Sequence, residues 1–225
     1  MSTAVLFSGG LDSAVLLAEE AAHDVVQPIY VSTGLAWESA ERAIVAELLA
    51  GGPFVGRVRP LVVLSVDMRD VYAATHWAVR GTPPAYHTPD EDVYLPGRNI
   101  VLLGKAGVYC AAAGIARIVL GTLGHNPFPD ATPEFRDAMA RALSLGLAHA
   151  LQIDAPFAGA SKADVVRRGV ALGVPFALTL SCMTGTGPPA QHCGVCSKCR
   201  ERHDAFRDAG VTDPTGYVDS RFVRA

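Results

Sequence analysis

Five short apolar runs, separated by longer amphipathic stretches, constrain this chain more than any other feature. The runs are Ala4–Phe7, Val25–Val31, Leu61–Val66, Ile118–Gly121 and Ala150–Ile153. They are apolar and partly β-branched, which is how buried strands read. Helical patterns lie between them at Ala14–Glu20, Glu38–Leu49, Asn99–Ala113, Glu134–Gly146 and Lys162–Leu172. The last opens on Ser161, carries Asp164 three residues on, and is followed by Gly173, a start and a stop signal together. Such alternation builds a parallel sheet with helices on both faces. The expected fold is therefore α/β and doubly wound, and its ligands should sit at the carboxyl ends of the strands, near the switch in strand order.

A length of 225 residues suits one domain with a small appendage. We expect the main domain over residues 1–180 and the appendage over residues 181–225. A hydrophobic content of 50% is ample for a core, and a net charge of −3 offers no overall attraction to nucleic acid. No nucleic-acid partner is expected. The apolar stretches are broken well before about 18 residues, so no membrane span is expected. The first strand follows the N-terminus directly, without a basic and then an apolar region, so we expect no signal peptide and a cytoplasmic location. In a reducing compartment the five cysteines read as metal ligands or core residues rather than disulfides.

The first strand runs into Ser8-Gly9-Gly10-Leu11-Asp12-Ser13, then into a helix. Glycines let backbone N–H groups approach a ligand, and the helix points its positive end at the same spot. Ser8 and Ser13 add hydroxyl donors. This is an anion cradle, though neither a Walker loop nor a dinucleotide fingerprint; the alternative is a plain Gly-Gly turn. Asp12 suits a phosphate site only with magnesium present, or it caps the helix.

Near the other end Cys193, Cys196 and Cys199 form a C-x-x-C-x-x-C run, with Cys182 upstream. Adjacent thiolates at this spacing converge on one ion, and a fourth from a loop completes a tetrahedron. Four sulfurs leave no open position, so the site reads as structural zinc; an iron–sulfur cluster or free thiols are the alternatives. His192 and His203 read as surface histidines, and Cys110 as a buried free thiol. Two loops interrupt the pattern. Arg80–Asp92 is proline-rich and acidic and reads as a surface loop or a lid; Thr184–Gln191 lies inside the cysteine cluster.

Cations at helix starts oppose the helix dipole and point to bound anions. Arg98, beside Asn99, and Lys162 are both so placed, and Arg98 can take a phosphate or carboxylate bidentately. An exposed helix-start arginine is the alternative. Asp130 and Glu134, after the fourth strand, are candidate substrate or metal contacts, with helix-start electrostatics the preferred account of Glu134.

The hexapeptide "SGGLDS" resembles the pyrophosphate loop of the PP-loop ATP pyrophosphatases, which split ATP to AMP and pyrophosphate while adenylating a substrate. Taken in order with "LPGRN", "PDATPEF", "SKADVVRRGVALGVP" and the terminal cysteines, it makes nearly the whole chain similar to the 7-cyano-7-deazaguanine synthase family. That resemblance implies an adenine nucleotide alpha hydrolase-like fold and an ATP-dependent, carbon–nitrogen bond-forming ligase of queuosine biosynthesis. The reaction it implies joins 7-carboxy-7-deazaguanine and ammonia into the nitrile, with two ATP consumed. It assigns Ser8, Gly9, Gly10, Leu11, Asp12 and Ser13 to ATP, and Lys162, Arg98 and Asp12 to catalysis. It assigns Asp130, Asn99 and Glu134 to the substrate, zinc to Cys182, Cys193, Cys196 and Cys199, and Mg2+ to the ATP. It also implies a homodimer. The chain departs from the family in "GTLGHNPFPDATPEF", where Ala131 and Thr132 replace a Cys-Arg pair in a segment expected to line the base pocket. The alternatives are adenylation of another carboxylate, a tRNA-thiolating enzyme, and a nucleotide-sensing module without catalysis.

Overall fold

The computed structural model describes residues 2–124 and 126–223. The chain runs β1 (Thr3–Leu6), α1 (Leu11–Ala21), β2 (Gln27–Ser32), α2 (Glu38–Leu49), β3 (Val62–Ser65), the single turn α3 (Trp77–Arg80) and α4 (Arg98–Ala113). It continues through β4 (Arg117–Val119), α5 (Pro133–Leu147), β5 (Gln152–Asp154), α6 (Lys162–Ala171), β6 (Gln191–His192), α7 (Ser197–Ala209) and β7 (Gly216–Tyr217). Five strands form one sheet in the order β3-β2-β1-β4-β5, and every pairing is parallel. Strand order therefore reverses between β1 and β4, and the crevice at their carboxyl ends is the ligand position such sheets favour.

The two faces of the sheet carry separate cores. One gathers α1, α2, α6 and α7 around Val5, Phe7, Leu16, Ile44, Val166 and Phe206. The other packs α4 and α5 over Ile29, Leu103, Ile118 and Ile153. Four of the expected helices appear within a residue of their predicted ends, while α1 begins at Leu11, three residues before the expected Ala14 and inside the glycine-rich loop; Ser161 and Asp164 form a complete capping box at the start of α6. The cysteine segment packs on the sheet domain: Cys182, Cys196, Cys199 and Phe206 are buried in the first core. The pairing of β6 with β7 escaped the sequence reading, because two-residue strands carry no periodicity.

Both histidine assignments change. His192 is not a surface residue; it is buried, and its Nε2 accepts the Ser181 N–H at 3.0 Å. Burial, with Arg202 nearby, holds the ring neutral, its pKa down at about 3. His203 is only partly exposed, with Nδ1 3.9 Å from Asp213. Cys110 is a buried thiol, pushed up to about 12 by desolvation. The Arg80–Asp92 stretch does not lie free: Arg200 donates to the carbonyls of Tyr86 and Thr88 at 2.7 Å and pairs with Asp90 at 2.6 Å. His125, within the divergent segment, lies outside the described residues.

Close approach of α6 to α1 requires Gly169. A methyl group there would stand 2.3 Å from Phe176 Cζ and 2.6 Å from Val15 Cγ2. In an exposed helix, glycine to alanine gains roughly 1 kcal/mol. Here Gly169→Ala is expected to lose about 1–3 kcal/mol through overpacking, read as a lower denaturant midpoint; a gain would contradict this packing.

Candidate active site

The loop after β1 turns on Gly9, whose φ of +77° suits only glycine. An added Cβ there would also meet Val45 Cγ2 at 3.0 Å. Within the loop, the Ser8 N–H donates to Ser13 Oγ at 3.3 Å and Ser13 Oγ donates to the Gly10 carbonyl at 3.0 Å. Leu11 is buried and anchors the turn from below. Gly10 caps α1 without a side-chain bond, which leaves first-turn N–H groups of the helix for a ligand. The Leu180 N–H donates to the Gly9 carbonyl at 2.9 Å, so the chain just before Cys182 braces the loop.

Asp12 does not cap the helix. Its Oδ2 receives the Lys162 ammonium at 3.0 Å, and Lys162 also donates to Glu201 Oε1 at 2.6 Å. Burial alone would lower the Lys162 pKa, but Asp12 and Glu201 hold it well above its ordinary value. Burial pushes Glu201 up, and Lys162 and Lys198 more than reverse that. Asp12 Oδ1 is buried with no hydrogen-bond partner. An orphaned carboxylate oxygen beside an anion cradle suits a hard divalent cation, so the residues present fit magnesium.

A cavity of about 310 Å³ opens between β1 and β4. Ser8, Gly10, Asp12 and Ser13 line it, together with Arg98, Asn99 and Asp130. Arg98 is not an exposed helix-start arginine: its Nε is buried without a partner, and its guanidinium lies 6.0 Å from the Trp37 ring centroid. Asp130 Oδ2 accepts the Asn99 N–H at 3.1 Å, and Asn99 Nδ2 donates to the Asp130 carbonyl at 3.0 Å. Burial raises the Asp130 carboxyl above its ordinary value despite that bond. Glu134 is exposed in the first turn of α5 and does not line the cavity.

Several lining residues escaped the sequence reading. Tyr94 and Phe128 stack at 5.0 Å between centroids. Tyr30 lay unremarked in the second strand and Glu41 in the second helix, yet both face the cavity, and Tyr30 OH donates to Glu41 Oε2 at 2.9 Å. Lys198 was hidden among the cysteines. Only a marked surplus of acids on α2, Glu38 and Glu41 in a single turn, could have signalled that part of the site.

The four sulfurs of Cys182, Cys193, Cys196 and Cys199 all lie within 4.8 Å of one another. Three of the separations are 3.5, 3.8 and 3.9 Å, against about 3.8 Å for a tetrahedral zinc tetrathiolate. Backbone N–H groups of Thr184 and Cys193 point at Cys182 Sγ, that of Gly194 at Cys199 and that of Val195 at Cys193. Such donors stabilise thiolates, and the set can hold one metal ion.

The family model described as "Queuosine biosynthesis protein QueC" matches residues 2–210. A protein of Methanoculleus marisnigri named 7-cyano-7-deazaguanine synthase is 34% identical, over 94% of this chain and 96% of its own length. Proteins of the same name from Caldicellulosiruptor bescii and Xanthomonas campestris are 32% and 34% identical, each over 96% of this chain and 97% of their own length. Among solved structures, a predicted subunit of a tRNA methyltransferase from Methanocaldococcus jannaschii matches with a TM-score of 0.47 and 16% identity, over 99% of this chain and 94% of that one.

Burial moves the Glu41 carboxyl from 4.5 to about 7, against the pull of Arg98 and the Tyr30 bond. A carboxyl raised on folding adds stability that is full below its unfolded pKa and is lost as pH climbs through the folded value. The stability of Glu41→Gln relative to the parent is therefore expected to rise between about pH 5 and about pH 8. Melting temperatures of the two proteins at those pH values test this; a constant difference contradicts it.

Proposed function

The chain belongs to the QueC family of queuosine biosynthesis proteins, and from that premise we propose that it is an ATP-dependent 7-cyano-7-deazaguanine synthase. One observation carries the reading furthest. The Ser8–Ser13 loop and Arg98, with its unpartnered nitrogen, face one cavity at the strand-order switch, and Asp12 on its wall pairs with Lys162, which itself lines a second cleft. An anion cradle with a guanidinium on the same cavity and an ammonium beside its carboxylate suits a nucleotide phosphate chain facing a carboxylate.

The chemistry needs a poor electrophile made reactive. The carboxylate oxygen of 7-carboxy-7-deazaguanine attacks the α-phosphorus of ATP and expels pyrophosphate. Ammonia attacks the acyl carbon, loses a proton and expels AMP, leaving an amide. The amide oxygen attacks a second ATP, again expelling pyrophosphate, and loss of AMP with two protons gives the nitrile. The protein's part is positioning and charge stabilisation. In this reading the loop N–H groups and Lys162 hold the departing pyrophosphate. Arg98 holds the carboxylate against the α-phosphate. Asp130, with Asn99, accepts the N–H edge of the base, and Phe128 and Tyr94 offer it aromatic faces. Glu134, exposed and off the cavity, keeps only its helix-start role. Magnesium, which Asp12 Oδ1 suits, would supply charge neutralisation at the phosphates. The four cysteines hold a structural zinc, and residues 181–225 act as a zinc-stabilised appendage that braces the loop. The expected homodimer and cytoplasmic location come with the family reading.

Purified, metal-loaded protein with magnesium, ammonium and ATP is expected to release AMP only when 7-carboxy-7-deazaguanine is present, with the nitrile identified by mass. Lys162→Ala is expected to lower kcat by about 10²–10³. AMP release indifferent to that compound would overturn the substrate, and loss of all nucleotide turnover from folded protein would overturn the enzyme.

A further inference from the structure

Lys198 stands between two of the four cysteines, yet its side chain does not serve them. It borders the cavity together with Ser8, Gly10, Asp12 and Ser13. It sits in the first turn of α7, where the helix dipole disfavours a cation unless something negative holds it. Glu201 does so: its Oε2 receives Lys198 Nζ at 2.7 Å, while its Oε1 receives Lys162 Nζ at 2.6 Å. One carboxylate thus holds two lysines, and the second reaches on to Asp12 at 3.0 Å.

Two lysines and two carboxylates cancel. Nucleotide phosphates bring further negative charge to the same place, and the loop from Ser8 to Ser13 contains no cation of its own. Phosphates and Glu201 therefore compete for the same pair of ammonium groups. Glu201 has room to leave them. It also borders a second cleft, of about 480 Å³, lined by Lys162, Arg167 and Arg200 and by Asp90, Asp204 and Asp208.

We propose that Lys198 is a phosphate ligand carried into the nucleotide site by the four-cysteine segment, and that Glu201 is a built-in anion that holds Lys198 and Lys162 until the phosphates displace it. The inference rests on reading the Ser8–Ser13 loop as the nucleotide site. It gives the turn between Cys196 and Cys199 two duties, metal ligation inward and anion contact outward. Glu201 acts as a positioning residue, never touching the nucleotide.

The test is equilibrium binding of magnesium ATP and of inorganic pyrophosphate to the full, metal-loaded chain by calorimetry, without any carboxylate substrate. Glu201→Gln is expected to bind both about tenfold more tightly, the size of one charge-assisted contact released. Lys198→Ala is expected to bind both about tenfold more weakly, with Lys198→Arg close to the parent. A gain of affinity in Glu201→Gln is diagnostic, because damage to the fold does not tighten binding. Equal or weaker binding by folded Glu201→Gln overturns the displacement. If that variant does not fold, Lys198→Ala decides alone, and parental affinity there, at unchanged metal content, overturns the proposal. A parent chain that binds neither probe would overturn the nucleotide reading itself, whereas a parent that binds both, with variants that match it, would overturn this inference only.

Discussion

The ammonium of Lys162 is the point on which the site depends. It is 3.0 Å from Asp12 and 2.6 Å from Glu201, so one group ties the start of α1, the start of α6 and the middle of α7 together. These residues are 150 and 39 positions away from it in the chain. A carboxylate in the mouth of an anion cradle repels the anion unless a cation neutralises it, and Lys162 supplies that cation, kept protonated against its burial by Asp12 and Glu201. The rest follows from placement. The capping box fixes where α6 begins, and hence where Lys162 stands. The close contact at Gly169 sets the distance of α6 from α1. The cysteine segment sets α7, and with it Glu201.

The cysteine segment is therefore bound into the site twice. Glu201 reaches the loop through Lys162, and the backbone of Leu180 reaches it through the Gly9 carbonyl. Arg202, fully buried, locks the connecting segment by donating to Thr179, Ser181 and the Phe176 carbonyl. A metal ion held by four thiolates has no open position for chemistry, but it would fix the start of α7, whose Lys198 lines the cavity.

Much of this was legible in the sequence. The alternation of strands and helices gave the parallel sheet, because local periodicity and burial agree along this chain. The glycine-rich loop, the cysteine spacing and the cations at helix starts each announced themselves as exceptions to ordinary local rules. Pairings across long separations were not legible. Asp12 stood open between a magnesium partner and a helix cap, with no sign of Lys162 beside it, and His192 resembled a surface residue because nothing local reveals that Ser181 donates to it. Glu41 and Tyr30 gave no signal of a site, since their shared cavity exists only once β2 and α2 have packed. Glu134 failed as a site residue for the reverse reason. Its helix-start position suited a ligand, but the turn before α5 directs Asp130 inward and leaves Glu134 at the surface.

Those distant pairings frame a sequence of two adenylations in which each carboxylate oxygen leaves on AMP. The most direct measurement follows the oxygen atoms: 7-carboxy-7-deazaguanine labelled with 18O in both carboxylate positions, turned over by the purified protein with ATP, magnesium and ammonium. The account predicts label in the phosphate of the AMP, one atom from each of the two activations, and none in pyrophosphate or in the nitrile. Label released to water, or found in inorganic phosphate or pyrophosphate, would contradict it.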